Sequence, residues 1–175
     1  MSTQLYGKKN LALLGAMCLF LSAVEYMIPK PLPFMRIGLA NLPLLLAVDI
    51  LPFSSFLVLT GIKIFGQALV TGTLFSYILL FSIAGTFFSA MIMFALRRIF
   101  GSSRITFVGI GTAGAMVSNA AQLALAQVFI LKENMRYIAP PFLAAGLVTG
   151  IALGIFCEVF SRQSLYYQMN VLHKQ

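Results

Sequence analysis

Four ionisable residues lie inside long apolar stretches of the sequence: Glu25, Asp49, Lys63 and Glu158. A charged side chain within a bilayer is costly, and it usually faces the interior of a helix bundle, where it pairs with another charge or contacts a ligand. Lys63 is near the middle of its stretch, so we expect it to bind a ligand or form an ion pair. Glu25, near the outer end of its stretch, is expected either to line a pocket or to contact the outer lipid headgroups. Asp49 and Glu158 are expected to face the inner membrane interface or a partner subunit.

Uncharged polar residues recur at helical spacing around Lys63. One helix face would carry Thr60, Lys63, Gln67 and Thr71, which are three, four and four residues apart. Two later segments repeat the pattern: Ser82, Gly85 and Ser89, then Gly111, Ala115, Ser118 and Gln122 with Asn119 adjoining. Small residues let helices approach and amides bond across helices. Such faces are therefore explained either by packing, which we favour for Ser82, Gly85 and Ser89, or by a pocket.

A ligand pocket is predicted in the outer half of the membrane. Its expected residues are Glu25, Arg36, Asn41, Lys63, Gln67, Asn119 and Gln122. Arg36 would offer a forked set of donors and Lys63 a point charge, which suits a carboxylate, a phosphate or an electron-rich quinone-like headgroup. The Asn and Gln side chains would orient neutral edges of the ligand.

Other site chemistries are not indicated by the sequence. The single histidine, His173, is in a polar tail, and Cys18 and Cys157 lie in separate apolar segments. We therefore expect no metal site, no disulfide and no catalytic triad. Residues 109–114 match GxGxxG but lack the strand and βαβ unit of a dinucleotide site, so no cofactor is expected. Their glycines instead favour close helix packing, as do Gly146, Gly150 and Gly154.

The composition identifies a membrane protein. Of 175 residues, 60% are hydrophobic and 9% charged, which excludes a soluble globule. The net charge of +8 could indicate nucleic acid, but the basic residues cluster at the ends of apolar segments, as expected for membrane topology and anionic lipid. We expect the lipid bilayer as a partner and no nucleic acid.

The apolar segments predict an all-α integral membrane protein with six transmembrane helices in one compact domain, residues 1–175. The expected spans are about 10–28, 38–51, 54–70, 74–96, 107–131 and 141–160. The first span, which follows Lys8 and Lys9, resembles a signal peptide, but we interpret it as an uncleaved helix. The second span is short, as is typical of a segment beside an irregular stretch that lines a cavity.

The distribution of Lys and Arg predicts the orientation. With the N-terminus inside, seven basic residues lie in inner segments and four in outer segments: Lys8, Lys9, Arg97, Arg98, Arg104, Arg162 and Lys174, against Lys30, Arg36, Lys132 and Arg136. Positive charge accumulates on the cytoplasmic side. Both termini are therefore expected in the cytoplasm.

Three stretches together resemble the Gx transporter family, also labelled heptaprenyl diphosphate synthase component I. They are Glu25 through the proline-rich loop to Asn41, then 81–85 (FSIAG), and 114–122 (GAMVSNAAQ). The family is grouped with the substrate-binding S components of energy-coupling-factor transporters. The resemblance implies a six-helix fold in the bacterial cytoplasmic (inner) membrane, a small-molecule ligand, and a transmembrane coupling subunit with ATPases. In those transporters an Ala-x-x-x-Ala face on the first helix meets that subunit, and Ala12 and Ala16 have this form.

Two functions remain open from the sequence. The first is a substrate-binding transport subunit that captures a small organic micronutrient or an isoprenoid- or quinone-related molecule from outside. The second is a non-catalytic accessory protein of isoprenoid or quinone metabolism, or of flavin-linked electron transfer. Catalysis is not expected, because prenyl diphosphate synthases hold Mg²⁺ with aspartate-rich motifs and this chain has one aspartate, Asp49.

Overall fold

The computed structural model describes residues 2–29, 38–131 and 135–172, which fold as a bundle of helices. The helices are α1 (Ser2–Met27), α2 (Leu42–Ile50), α3 (Phe53–Val70), α4 (Tyr77–Arg104), α5 (Phe107–Ala126), α6 (Met135–Gln163) and α7 (Leu165–Leu172). A 3-10 turn, Leu39–Asn41, leads into α2, and a π-helical segment, Gln127–Leu131, extends α5. No strand occurs in the described ranges, as the all-α prediction requires.

Five helices are long and apolar enough to cross a membrane: Gly7–Met27, Phe53–Val70, Tyr77–Ser102, Phe107–Phe129 and Tyr137–Gln163. The chain is therefore a membrane protein with several spans. The expected count of six is not confirmed, because the apolar helix Leu39–Ile50 is shorter than these. Its 12 residues extend about 18 Å at 1.5 Å per residue, whereas the hydrocarbon core is about 30 Å thick.

The short helix α2 lies inside the bundle. Eight of its nine residues are buried, and it contacts α1, α3, α4, α5, α6 and α7. A helix that is apolar on all sides is stable in such a position, because protein rather than water surrounds every face. The helix thus connects Asn41, just before its first residue, to Asp49 near its last.

The observed helix ends differ from the predicted ones where polar residues continue a helix. α1 begins at Ser2 rather than at residue 10, and α4 continues past residue 96 to Arg104, with a break at Gly101 (φ 72°). α6 begins at Met135, with Pro140 and Pro141 inside its first two turns. α7 was not predicted, since its sequence follows the last apolar segment.

Helices α5 and α6 approach so closely that backbone meets backbone. A Cβ atom added at Gly154 would lie 2.4 Å from the Val108 Cα, and one at Gly150 would lie 2.9 Å from the Thr112 Cα. The glycines therefore act as the sequence predicts, by removing side chains from a helix contact. Gly109, Gly111 and Gly114 belong to this helix and not to a strand-to-helix turn.

Candidate ligand-binding site

A small polar cavity lies where the helices meet. Its lining residues come from α1, the turn before α2, α3, α4, α5 and α6: Glu25, Gly38, Asn41, Lys63, Gln67, Thr86, Ala115, Ser118, Asn119 and Thr149. The cavity volume is about 20 Å³. This is room for about one water molecule, so the site is nearly closed in this conformation.

Lys63 points into the bundle and not to lipid. Only 2% of it is exposed, and its Nζ donates a hydrogen bond of 2.6 Å to the Thr86 Oγ1 on α4. The spacing that placed Lys63 and Gln67 on one face of α3 is observed, since both line the cavity. A buried ammonium group is expensive, so its environment must supply acceptors.

Glu25 joins α1 to the start of α2. Its carboxylate is fully buried and accepts backbone hydrogen bonds from Gly38 N (3.2 Å) and Ala40 N (3.3 Å). Gly38 has a φ of 91°, a conformation that other residues rarely adopt. Glu25 therefore holds the turn that delivers Asn41 to the cavity, and a carboxylate is favourable beside the N-terminus of a helix.

The amide side chains of α5 are anchored by their nitrogens. Asn119 Nδ2 donates to the Phe142 backbone oxygen on α6 (2.9 Å), and Gln122 Nε2 donates to Ser118 Oγ (3.0 Å). Asn119 lines the cavity, whereas Gln122 lies behind Ser118 and is not part of the lining. Gln122 therefore supports the wall through Ser118.

Several buried polar atoms around this region have no hydrogen-bond partner among the described protein groups. They include the amide oxygens of Asn41, Gln67 and Gln122 and the hydroxyls of Ser82 and Ser89. A buried acceptor without a partner costs about 1–3 kcal/mol. Asn41 and Gln67 line the cavity directly, so their oxygens can accept from a molecule that enters it.

A second cavity lies on the other side of Asn41. It also measures about 20 Å³, and apart from Asn41 and Ser89 its lining is apolar: Leu45, Met93, Gly111, Ala115, Gly150 and Leu153. Asn41 and Ala115 line both cavities. The polar cavity and the apolar one are therefore adjacent at these two residues.

Five of the seven residues predicted for the pocket line one cavity: Glu25, Asn41, Lys63, Gln67 and Asn119. Gln122 does not line this cavity but donates a hydrogen bond to Ser118, which does. Arg36 lies outside the described residues. Sequence reasoning missed Thr86 and Thr149. Thr86 is four residues after Ser82 and three before Ser89, so it belongs to the same face and could have been found by that spacing.

The two acids predicted for the inner ends of their spans, Asp49 and Glu158, have partners within the chain. Arg97 makes a bidentate pair with Asp49, from Nε to Oδ1 at 2.6 Å and from Nη2 to Oδ2 at 2.5 Å, and its guanidinium lies 4.8 Å from the Phe107 ring centroid. Tyr167 Oη donates to Asp49 Oδ2 at 2.5 Å. Burial, and then the nearby Asp49, raise the pKa of Tyr167 well above its usual range, so its hydroxyl keeps the donated proton. This contact docks α7 against α2.

Glu158 bonds to both α5 and its own helix. It accepts from the Phe107 backbone nitrogen (3.2 Å) at the first residue of α5 and from Arg162 Nη2 (3.0 Å). Asp49 and Glu158 therefore have structural partners, and their expected position at an inner interface or partner subunit remains a prediction. Neither lines the polar cavity.

Ala12 and Ala16 are both exposed on the surface of α1, whereas Leu14 and Gly15 between them are buried. The neighbouring face of the helix packs on α3, where a Cβ at Gly15 would lie 3.5 Å from Ile62 Cγ2. Glu25, which lines the cavity, is nine residues after Ala16 and therefore lies on the opposite side of α1. The two alanines thus face away from the cavity. Their predicted contact with a coupling subunit remains a prediction.

Comparison with known protein families identifies the chain. Residues 14–160 match the family model described as heptaprenyl diphosphate synthase component I, and this range includes all seven predicted pocket residues. No match was found among curated proteins. No solved structure matches either. Because the match covers most of the 175 residues, the chain belongs to the heptaprenyl diphosphate synthase component I family.

Proposed function

We propose that this chain is a membrane-embedded substrate-binding subunit that captures a small organic molecule from the outer face for transport. The observation that carries the proposal is the convergence of a buried lysine and amide side chains from separate helices on one cavity. Three separate segments of the chain supply these groups, with Asn41 in the first, Lys63 and Gln67 in the second and Asn119 in the third. A purely structural bundle has no need of such an arrangement.

Energetics favour a binding role for these groups over a packing role. Apolar side chains of similar volume would stabilise the interior at least as well as a buried charge does. The buried oxygens of Asn41 and Gln67 also lack donors, which lowers stability further. In this proposal a ligand satisfies these groups and offsets their cost.

The polar groups suggest the chemistry of the ligand. Lys63 donates, so it suits an anionic or strongly accepting group, while the Asn41 and Gln67 oxygens require donors. A molecule with an acidic or carbonyl group and at least one O–H or N–H satisfies both. A quinone, which has only acceptors, would leave the two amide oxygens without partners. Among the headgroups expected from the sequence, donor-bearing ones are therefore favoured.

Binding requires the cavity to expand. The present volume fits about one water, so a ligand must displace side chains at the wall. Asn41 lines both the polar cavity and the apolar one, so in this proposal its movement joins them. The expanded site would then accept a polar head beside Lys63 and a small apolar portion beside Leu45 and Leu153.

The alternative is a non-catalytic accessory role in isoprenoid or quinone metabolism, which the description of the family favours. Catalysis by the chain itself is not part of either proposal. A prenyl transfer site needs several carboxylates for Mg²⁺, and the single aspartate, Asp49, is paired with Arg97. An accessory protein would act by recruiting an enzyme.

The two functions differ in whether a small molecule accompanies the protein. We expect the detergent-purified chain to carry a co-purifying compound that mass spectrometry detects and that Lys63→Met releases. Loss of a charged hydrogen bond should weaken binding of that compound by about 1.5–3 kcal/mol, or about tenfold to a hundredfold. Titration calorimetry with the identified compound measures this change.

Lys9→Met is the matched control, since Lys9 is exposed on α1 and remote in sequence from the cavity residues. It should bind like the wild type. Thermal unfolding of both variants checks their folding. Equal affinity for wild type and a folded Lys63→Met variant would remove Lys63 from the site, and absence of any bound compound would favour the accessory role.

A further inference from the structure

A further cavity lies between the end of α2 and the last turns of α4. Its volume is about 170 Å³, far larger than that of the polar cavity, and its lining consists of Val48, Asp49, Phe94, Arg97, Arg98 and Ser102. Arg98 is twelve residues after Thr86 on α4, which is about 18 Å along the helix at 1.5 Å per residue. None of the six residues lines the polar cavity, so a ligand here is separate from the proposed substrate.

The carboxylate at this cavity is already compensated by a positive charge. Asp49 accepts from Arg97 through both of its oxygens, at 2.6 Å and 2.5 Å, and its Oδ2 also accepts from Tyr167 Oη at 2.5 Å. The Asp49–Arg97 pair therefore has no net charge. The net charge of the cavity wall is that of Arg98.

Arg98 is an exposed cation that makes no hydrogen bond or ion pair with another described residue. It is four residues after Phe94 and so lies on the same face of α4, and both residues line the cavity. Arg97 also has donors left, because three of its five N–H groups are used, two on Asp49 and one on the Ile105 oxygen. The Ser102 hydroxyl is a third possible donor in the lining.

This set of donors suits a phosphate group. A guanidinium group binds phosphate through two parallel N–H···O bonds. Two guanidinium groups and a hydroxyl offer donors to at least three acceptor oxygens, which a phosphate has and a carboxylate does not. The size is sufficient, since a cavity of about 150 Å³ in another protein holds a benzene molecule.

We propose that this cavity binds a phosphate group, held mainly by Arg98, with Arg97 and Ser102 as further donors. The apolar span of α4 ends at Ser102, so the cavity lies at the end of a membrane-spanning segment. Phosphate reaches that level either as the headgroup of an anionic lipid or on a dissolved molecule. The proposal is independent of the proposed transport function, because the two sites share no lining residue.

The test offers phosphate in two forms to the full chain in detergent. Thermal unfolding in rising inorganic phosphate, with sodium chloride of equal ionic strength as the blank, measures binding of the dissolved form. Native mass spectrometry measures retention of dioleoyl phosphatidic acid against dioleoylglycerol, which has the same acyl chains and no phosphate. We expect phosphate-dependent binding in at least one arm. Binding of phosphatidic acid alone identifies a lipid headgroup as the source, and binding of inorganic phosphate identifies a dissolved one.

Arg98→Gln removes the main proposed contact without breaking a bond inside the protein, so the variant should fold. It should weaken phosphate binding about tenfold to a hundredfold, as expected for the loss of a charged hydrogen bond. Arg104→Gln is the matched control, because Arg104 is an exposed cation of the same helix that does not line the cavity. It should bind phosphate like the wild type.

Ser102→Leu tests the cavity itself, since it keeps every charge and adds bulk at an exposed position of the wall. It should fold and should also weaken binding. Absence of phosphate-dependent binding in both arms would overturn the proposal. Equal losses in Arg98→Gln and Arg104→Gln would do the same, because surface charge alone would then explain binding, and normal binding by Ser102→Leu would place the phosphate outside the cavity.

Discussion

Lys63 and Gln67 lie one turn apart on α3 and need opposite hydrogen-bond partners, an acceptor for Lys63 and a donor for the Gln67 oxygen. The ammonium group of Lys63 has Thr86 as an acceptor, whereas no described protein group donates to the Gln67 oxygen. Both residues are 2% exposed, so water at the surface does not compensate for either. The site is thus prepared for a molecule that offers an acceptor to one residue and a donor to the other.

Gln67→Met should stabilise the ligand-free protein. The substitution keeps the length of the side chain and removes the buried oxygen, whose lack of a partner costs about 1–3 kcal/mol. For a chain of this size a gain of about 1 kcal/mol raises Tm by about 2–4 °C. Thermal unfolding of delipidated, ligand-free protein in detergent measures the shift.

Gln127→Met provides the comparison, because Gln127 is exposed at the start of the π-helical segment. It should leave Tm nearly unchanged. If Gln67→Met instead lowers Tm relative to this control, the Gln67 oxygen has a partner in the ligand-free state, and the argument for a donor-bearing ligand loses its basis.

At the scale of elements, the pair α5 and α6 forms the rigid part of the wall. Gly111, Gly150 and Gly154 allow the two backbones to touch, and this contact fixes Asn119 against the Phe142 oxygen. The buried helix α2 contributes differently, since it has the cavity residue Asn41 at one end and the Asp49–Arg97 pair at the other. The polar cavity and the Asp49–Arg97 end of the bundle are therefore connected through one short element.

Gly154→Ala should destabilise the bundle. The new Cβ would lie 2.4 Å from the Val108 Cα and 2.9 Å from the Phe107 oxygen, so the helices must separate. Overpacking of this kind costs about 1–3 kcal/mol. Chemical denaturation in detergent should show a lower midpoint than that of the wild type.

Gly61→Ala is the opposite case on α3, because a Cβ there meets nothing within 4 Å. Helix propensity alone should then make this variant more stable by about 0.5–1 kcal/mol. Similar midpoints for the two alanine variants would show that the α5–α6 contact is looser than described.

For the whole molecule, the two ends of the bundle differ in chemistry. One end encloses a buried lysine and buried amide side chains around a small cavity. The other end has the Asp49–Arg97 ion pair, the docked helix α7 and exposed basic residues. Between them, α1 exposes Ala12 and Ala16 on its outer surface. Under the proposed transport function, this surface is where a coupling subunit would pack.

The double variant Ala12→Leu/Ala16→Leu should separate binding from transport. Leucines block close approach of another helix but leave the cavity intact, because both positions are exposed. We expect unchanged content of the co-purifying compound and a loss of its uptake by cells that express the variant. Isotope-labelled compound, once identified by mass spectrometry, measures that uptake.

Ala144→Leu/Ala152→Leu, at exposed positions of α6, controls for added bulk at the lipid surface. This variant should transport normally when present at equal amounts in the membrane. Normal uptake by the α1 variant would mean that the two alanines are not a docking surface.

The sequence by itself determined that the chain is a helical membrane protein, because apolar length and 3.6-residue spacing are local properties. The same spacing placed Lys63 and Gln67 on one face and identified the glycines of α5 as packing residues. The pairing of Asp49 with Arg97 and Tyr167, the docking of α7 and the buried position of α2 were decided only by the tertiary structure. These contacts join residues 48 and 118 positions apart, and no local pattern specifies which distant side chains meet.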